Sequence, residues 1–382
     1  MTPSASAIAP ATDAPATDDV VDAAPTLFTP VTLGRLRLPN RIVMAPLTRR
    51  RAAADGTPSD LLVRHYADRA TAGLIIAEGT FLSPRSRTYL NQPGIVTDAH
   101  VAGWRRVTDA VHAAGGRIVL QLMHGGRVAM LPDAEERGIV APSAIPIPGE
   151  RRLPSGEVRP HATPRALRTD EMAGVVGEFV DGARRAIAAG FDGVELHGAN
   201  GYLLQEFLAA STNHRDDAYG GSPANRARLV VEATRAVADA VGADRTGLRL
   251  SPGETRQGLE EGDTPETAAT YAALTSGIAG LGLASLHVLS AHPASALVRG
   301  IRRDFGGPFI INSGFEVVTT RAEAERFLTE DLGDAVAVGR PLLANPDLVR
   351  RWREGRELNR PNPETFYTPG EAGYNDYPFL ED

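Results

Sequence analysis

Residues 335–340 read Ala335-Val336-Ala337-Val338-Gly339-Arg340, a short apolar run containing β-branched residues that ends on a glycine and a cation. Runs of this kind, shorter than a helix and apolar on both faces, mark the buried strands of a parallel sheet. This one is the eighth. The other seven lie at 41–47, 73–78, 117–123, 193–197, 247–251, 284–289 and 309–313. Between them stand amphipathic, Ala- and Arg-rich stretches with helical spacing, at about 59–70, 99–114, 169–189, 222–241, 265–279, 294–303 and 321–328, and another over 346–353 follows the last run. Eight strand-then-helix units in one chain predict an α/β fold closed into a (β/α)8 TIM barrel. An open doubly wound sheet is the alternative. It would usually carry a Gly-rich dinucleotide fingerprint after its first strand, where this chain has Met44-Ala45-Pro46-Leu47-Thr48.

Two additions decorate the eight units. Residues 33–40, with turn signals at Gly34 and Pro39, predict an N-terminal hairpin that plugs the barrel floor. Residues 125–168, rich in Pro, Gly and Arg, form a loop insertion after strand three far longer than an ordinary βα connection, and its place on the catalytic face predicts a lid. Residues 1–26 hold four Asp, no basic residue and little apolar surface to offset ordering entropy, so a disordered extension is expected there. The barrel then occupies 27–382.

Composition removes several chemistries. The 382 residues include no Cys, which excludes a disulfide framework, Cys-ligated zinc, iron–sulfur clusters and thiolate nucleophiles. All 40 basic residues are Arg. GC-rich coding is the plain cause, yet with no lysine amine the chain excludes Schiff-base aldolases, pyridoxal-phosphate enzymes and Walker-type phosphate loops. A net charge of −7 without a long basic run argues against a nucleic-acid partner. No apolar stretch reaches membrane-spanning length and the first 26 residues lack the pattern of a signal peptide, so a cytoplasmic protein is expected. No metal ligands are expected either.

Chemistry in this fold sits at the C-terminal ends of the strands, and polar residues gather there: Thr48, Gln121, His197 with Asn200 and Tyr202 beyond it, Arg249, and the pair Gly339-Arg340. A purely structural core would place apolar residues at most of these positions, because an unpaired buried Gln or Arg costs several kcal/mol. Strands seven and eight end in Asn312-Ser313-Gly314 and Val338-Gly339-Arg340. Glycine lets backbone amides approach an anion and Arg grips it bidentately, which reads as a phosphate site. Either glycine alone would read as a turn.

These residues belong to longer stretches: Pro39-Asn40-Arg41, Met44 to Arg49, Glu195-Leu196-His197-Gly198-Ala199-Asn200-Gly201-Tyr202-Leu203-Leu204, Arg215 to Arg226, Asn345-Pro346-Asp347-Leu348, and Tyr374-Asn375-Asp376-Tyr377-Pro378. In that order they resemble the old yellow enzymes, a family of flavin-dependent ene-reductases, from Leu27 to the end of the chain. The resemblance implies bound FMN, with its phosphate at Gly314, Gly339 and Arg340 and its ring surrounded by Pro46, Thr48, Gly79, Gln121 and Arg249. Thr48 would donate to the flavin O4, Gln121 would pair with the pyrimidine edge, and Arg249 would place fixed positive charge near N1 and O2.

His197 and Asn200 would then hold the carbonyl or nitro oxygen of an activated alkene, and Tyr202 or solvent would supply the proton. The plain alternatives are a satisfied core histidine, an Asn200 that caps the following helical stretch, and a tyrosine packed with its hydroxyl at the surface. Tyr89 and Tyr367 map to the family's substrate pocket. Met123 stands where the family often has Trp two residues after the flavin-contacting Gln, which implies a wider or rearranged pocket. Arg215, Tyr219, Asn225 and Arg226 read as structural ties. The expected reaction is reduction of a small-molecule alkene by NADPH through FMN, with the oligomeric state left open by the sequence. The alternatives are a flavin-dependent isomerase or dehydrogenase of a biosynthetic pathway, and a non-redox isomerase or lyase acting on a phosphorylated substrate.

Overall fold

A computed structural model of the chain describes residues 25–129, 138–152 and 156–381. The expected disordered extension falls outside the described residues except for Pro25 and Thr26. The chain enters through a hairpin, β1 (Val31–Leu33) and β2 (Leu36–Leu38), paired antiparallel about Gly34, whose φ of +55° suits glycine. The first half of the barrel then runs β3 (Ile42–Met44), α1 (Asp60–Ala67), β4 (Leu74–Phe81), α2 (Asp98–Ala113) and β5 (Ile118–Met123). Short strands β6 (Val140–Ala141), β7 (Glu150–Arg152), β8 (Val158–Pro160) and β9 (Arg165–Ala166) follow in the insertion. The barrel resumes with α3 (Met172–Ala188), β10 (Gly193–Gly198), α4 (Leu203–Leu208), α5 (Pro223–Val241), β11 (Thr246–Leu250), α6 (Pro265–Ile278) and β12 (Ser285–Leu289). It closes with α7 (Ala296–Phe305), β13 (Phe309–Asn312), α8 (Arg321–Thr329), β14 (Ala335–Val338), α9 (Arg340–Ala344) and α10 (Leu348–Glu354).

All eight predicted strands pair in parallel and close as a barrel, in the order β3, β4, β5, β10, β11, β12, β13, β14 and back to β3. The first strand stops at Met44, short of the predicted 47, because Pro46 has no N–H to give to a ladder. The second barrel strand, β4, instead outlasts its prediction and continues to Phe81 through a register shift between Ala77 and Thr80. Two short helices, α4 and α9, were not separately expected; at six and five residues they are too short for a hydrophobic period to show.

Inside the barrel floor, Val43, Ala45, Leu74, Ile76, Val119, Ile310, Ala335 and Ala337 pack against Leu33 and Leu38 of the hairpin, which therefore plugs that end. Outside, the helices bury a second apolar layer against the strands; Trp104 is fully buried with its indole N–H donated to the Gly94 carbonyl at 3.0 Å. Burial of each large apolar side chain stabilises the fold by about 1.5–3 kcal/mol. The residues read as ties act as such. Arg226 donates to the Leu208 and Gly221 carbonyls and to Thr270, Asn225 to the Asp217 and Gly220 carbonyls, Tyr219 to Glu232, and Arg215 to Asp217 and the Pro142 carbonyl.

The described residues of the insertion do not roof the barrel mouth as the expected lid would. Among its described residues none lines the cavity at the barrel mouth; Val128 and Ile147 instead pack behind Met123 and Tyr202. Arg127 hooks it to the loop after β11 through the Gln257 and Gly258 carbonyls, each at 3.0 Å. Burying apolar wall residues there gains more than leaving them to roof an open mouth. No helix among the described residues is long and apolar enough to cross a membrane.

Candidate active site

A cavity of about 500 Å³ opens at the C-terminal ends of the barrel strands. It is lined by Pro46, Thr48, Tyr89, Gln121, Met123, His197, Asn200, Tyr202, Arg249, Gly314, Gly339, Arg340 and Tyr367, so the structure brings together the residues singled out from the sequence with one exception. Gly79 does not line it. A Cβ at Gly79 would come within 2.6 Å of the Met123 sulfur, so the missing side chain there makes room for Met123 in the wall.

The register of three strands sets the polar floor. Across β10, β11 and β12 the residues His197, Arg249 and His287 are direct neighbours, and across β5 and β10 Gln121 faces Glu195. All five are buried. Gln121 donates to Glu195 at 2.8 Å, and the His287 Nδ1 lies 2.8 Å from the other Glu195 oxygen. The Arg249 guanidinium makes no hydrogen bond among the described residues, and its buried Nε has no partner. Burial pushes the Arg249 pKa down and Glu195 pushes it back up.

Asn200 adopts a left-handed conformation (φ +61°), one that Asn tolerates better than other non-glycine residues. Its backbone N–H donates to the Ser251 hydroxyl at 2.8 Å, and its side-chain oxygen is buried without a partner. The capping role considered for Asn200 is therefore corrected: the N-cap position of α4 belongs to Tyr202, and no side-chain capping bond forms there. Gly201 follows at φ +79°, where a Cβ would meet Gln257 at 2.7 Å, so the sharp turn between β10 and α4 requires glycine. That turn carries Tyr202 into the cavity wall, its hydroxyl 2.7 Å from that of Tyr89 rather than at the surface.

His197 is buried with its ring edge-on to Tyr202, centroids 5.0 Å apart, and its Nδ1 has no partner. Burial, and then the neighbouring Arg249 and His287, hold its pKa well below the usual imidazole range, so the ring is neutral and offers one N–H. Burial pushes the Tyr202 phenol well above its ordinary value, which keeps the proton on it at neutral pH. A satisfied core histidine would bond through at least one ring nitrogen; among the described residues neither nitrogen of His197 makes a hydrogen bond, and Nδ1 is buried without a partner.

At the opposite corner Gly314 (φ +87°) and Gly339 leave the ends of β13 and β14 without side chains, and a Cβ at Gly339 would meet nothing closer than 3.8 Å. Arg340 stands over this gap, one guanidinium nitrogen donated at 2.6 Å to both the Phe315 and Val317 carbonyls and the remaining N–H groups available to a ligand. The two corners suit one elongated anionic ligand: backbone and Arg340 at one end, and the unpartnered Arg249 with Gln121 and Thr48 at the other. The rim is set by the C-terminal segment. Arg49 and Arg51 reach back to the carbonyls of Phe366, Gly370, Ala372 and Gly373, with Tyr374 stacked on His65 at 3.8 Å, and so hold Tyr367 at the mouth.

The floor residues Glu195 and His287 were not singled out from sequence as members of the site. Their only signal was a polar residue in mid-strand, with nothing to tell which face of the sheet it occupied.

Residues 26–359 match the NADH:flavin oxidoreductase / NADH oxidase family. The chain is 42% identical to a probable flavin mononucleotide-dependent alkene reductase of Leishmania infantum, over 93% of this chain and 97% of that protein. It resembles the structure of morphinone reductase in complex with tetrahydroNAD, with a TM-score of 0.86 and 45% identity over 94% of this chain and 98% of that one. It also resembles the old yellow enzyme homologue from Zymomonas mobilis, with a TM-score of 0.87 and 39% identity over 93% of this chain and all of the other.

Proposed function

The chain belongs to the NADH:flavin oxidoreductase / NADH oxidase family of old yellow enzymes, and from that membership we propose how its own residues carry out the reaction. It is an FMN-dependent ene-reductase acting on activated alkenes. The reductant we assign is NADPH, and the alkenes are α,β-unsaturated carbonyl or nitro compounds. Membership sets aside a non-redox isomerase or lyase.

The residues present fit FMN: Arg340 with the glycine ends of β13 and β14 would hold its phosphate, and Gln121, Thr48, Pro46 and Arg249 its ring. Bound there, FMN supplies hydride transfer from the nicotinamide to the alkene β-carbon. The chain's own residues do the rest. Arg249 contributes a fixed positive charge in a buried site, where it acts more strongly than in water. His197 and Asn200 each direct an N–H donor toward the substrate oxygen as negative charge develops on it. Tyr202 keeps its proton until the α-carbon accepts it, with solvent as the second source. Met123, slimmer than an indole, leaves the wall pliable for the alkene.

The observation that carries this reading is the unspent hydrogen-bonding capacity at the mouth: Arg249 Nε, His197 Nδ1 and Asn200 Oδ1 are buried atoms that lack partners. The test is spectroscopic. Purified protein should be yellow, should bleach on anaerobic NADPH, and should regain its colour when cyclohexenone is added. Colour that bleaches yet is not restored by the enone would favour a flavin-dependent isomerase or dehydrogenase instead.

A further inference from the structure

Below the cavity lies a buried carboxyl that the mechanism above leaves without a task. Glu195 is 2% exposed, in β10, two residues before His197 and on the same side of the strand. Each of its oxygens has one nitrogen partner: Oε1 takes the Gln121 amide N–H and Oε2 lies 2.8 Å from His287 Nδ1. We propose that Glu195, braced by His287, is a positioning residue that fixes the hydrogen-bonding polarity of Gln121 and offsets the charge of Arg249, and so sets both the affinity for FMN and its reduction potential.

The argument rests on the FMN reading above and on donor chemistry. A primary amide is ambidextrous, with a donor nitrogen and an acceptor oxygen of nearly equal size. A carboxylate accepts and never donates. Placed against Glu195, Gln121 must turn its nitrogen down, which leaves its oxygen as the acceptor for an N–H of a ring in the cavity. His287 plays the matching part on the other oxygen: burial lowers its pKa, so the ring is neutral, and the hydrogen on Nδ1 points at Glu195. The third neighbour, Arg249, pairs directly with both His197 and His287 in the strand register and feels Glu195 electrostatically. A negative charge beneath Arg249 weakens the field that favours a reduced, electron-rich ring, because opposite charges in a buried site are poorly screened.

Glu195→Gln tests this with little change of shape. The apoprotein is titrated with FMN, and the midpoint potential of the bound flavin is measured. The expected results are a dissociation constant raised about tenfold and a potential more positive than wild type. Because Glu195 acts on affinity through Gln121, the affinity loss should shrink when Gln121→Leu is already present. A folded Glu195→Gln protein with wild-type affinity and wild-type potential would overturn the inference. Should that variant not fold, His287→Phe serves: it strips Oε2 of its donor and so loosens the brace on Glu195, and is expected to move the potential; an unmoved potential overturns the inference there too. A wild-type apoprotein that takes up no FMN defeats the cofactor reading itself, an outcome separate from failure of the variants alone.

Discussion

Two groups of buried arginines divide the molecule. Arg69 is fully buried behind the barrel and its guanidinium is consumed by the carbonyls of His65, Leu342 and Leu343. Arg51 is consumed likewise by carbonyls of the C-terminal segment. Arg249 is as buried, yet makes no hydrogen bond among the described residues. A cation taken out of water is costly unless its donors are met. Where its donors are met by carbonyls the arginine is a strut, and where they are not it can hold a ligand. Burial alone does not separate the two; the hydrogen-bond ledger does.

The largest effect should come from removing the two residues assigned to the substrate oxygen. His197→Ala with Asn200→Ala should lower kcat/KM for an enone by roughly 10³-fold while FMN remains bound. Steady-state kinetics on the flavin-loaded variant check it, and unchanged kinetics would remove both residues from the mechanism.

The next pair sets the two arginine groups against each other. Arg249→Leu should raise the dissociation constant for FMN by roughly 100-fold, two charge-assisted hydrogen bonds being lost, and leave the apoprotein melting temperature nearly unchanged. Arg69→Leu should do the reverse, costing about 3 kcal/mol of stability because several carbonyls are left buried without donors. FMN titration and thermal melts of the same two proteins decide it. If Arg249→Leu melts as badly as Arg69→Leu, the division between strut and ligand-binding arginine is wrong.

A smaller effect concerns buried acids. Glu206 on α4 has a pKa pushed up to about 8 by burial, offset in part by Arg127, and its Oε2 lacks a partner. Its folded value lies above the unfolded one, so the native state holds the extra proton, and this contribution to stability, full below about pH 4.3, is lost as pH rises through about 8. The wild-type melting temperature should therefore fall between pH 5 and pH 9, and Glu206→Gln should flatten that fall by a few degrees. Glu261, also pushed up to about 8 by burial, contributes the same slope independently.

Much of this was legible in the chain. The eight apolar runs announced the barrel because a strand buried on both faces has to be apolar along its length, and Gly34 and Pro39 announced the hairpin because turns demand those residues. The His197 to Tyr202 stretch announced a site because polar residues at strand ends have no packing reason to be there. The described part of the insertion shows a different role from the lid its length predicts. Its length and composition placed it on the right face, but whether it roofs the mouth or backs the wall depends on Val128 and Ile147 finding Met123 and Tyr202, residues supplied by other elements.

The sequence by itself thus determined which groups are available: strands enough to close a barrel, donors at their ends, arginine as the only strong base and no thiol. Only the tertiary structure decided which of those groups are already spent. Hydrogen bonding is short-ranged and is settled between residues far apart in the chain. Glu195 meets Gln121 and His287 across neighbouring strands, Arg69 meets Leu342 of a distant segment of the chain, and Arg249 makes no hydrogen bond among the described residues. No local pattern records that difference, because it exists only once the strands are in register.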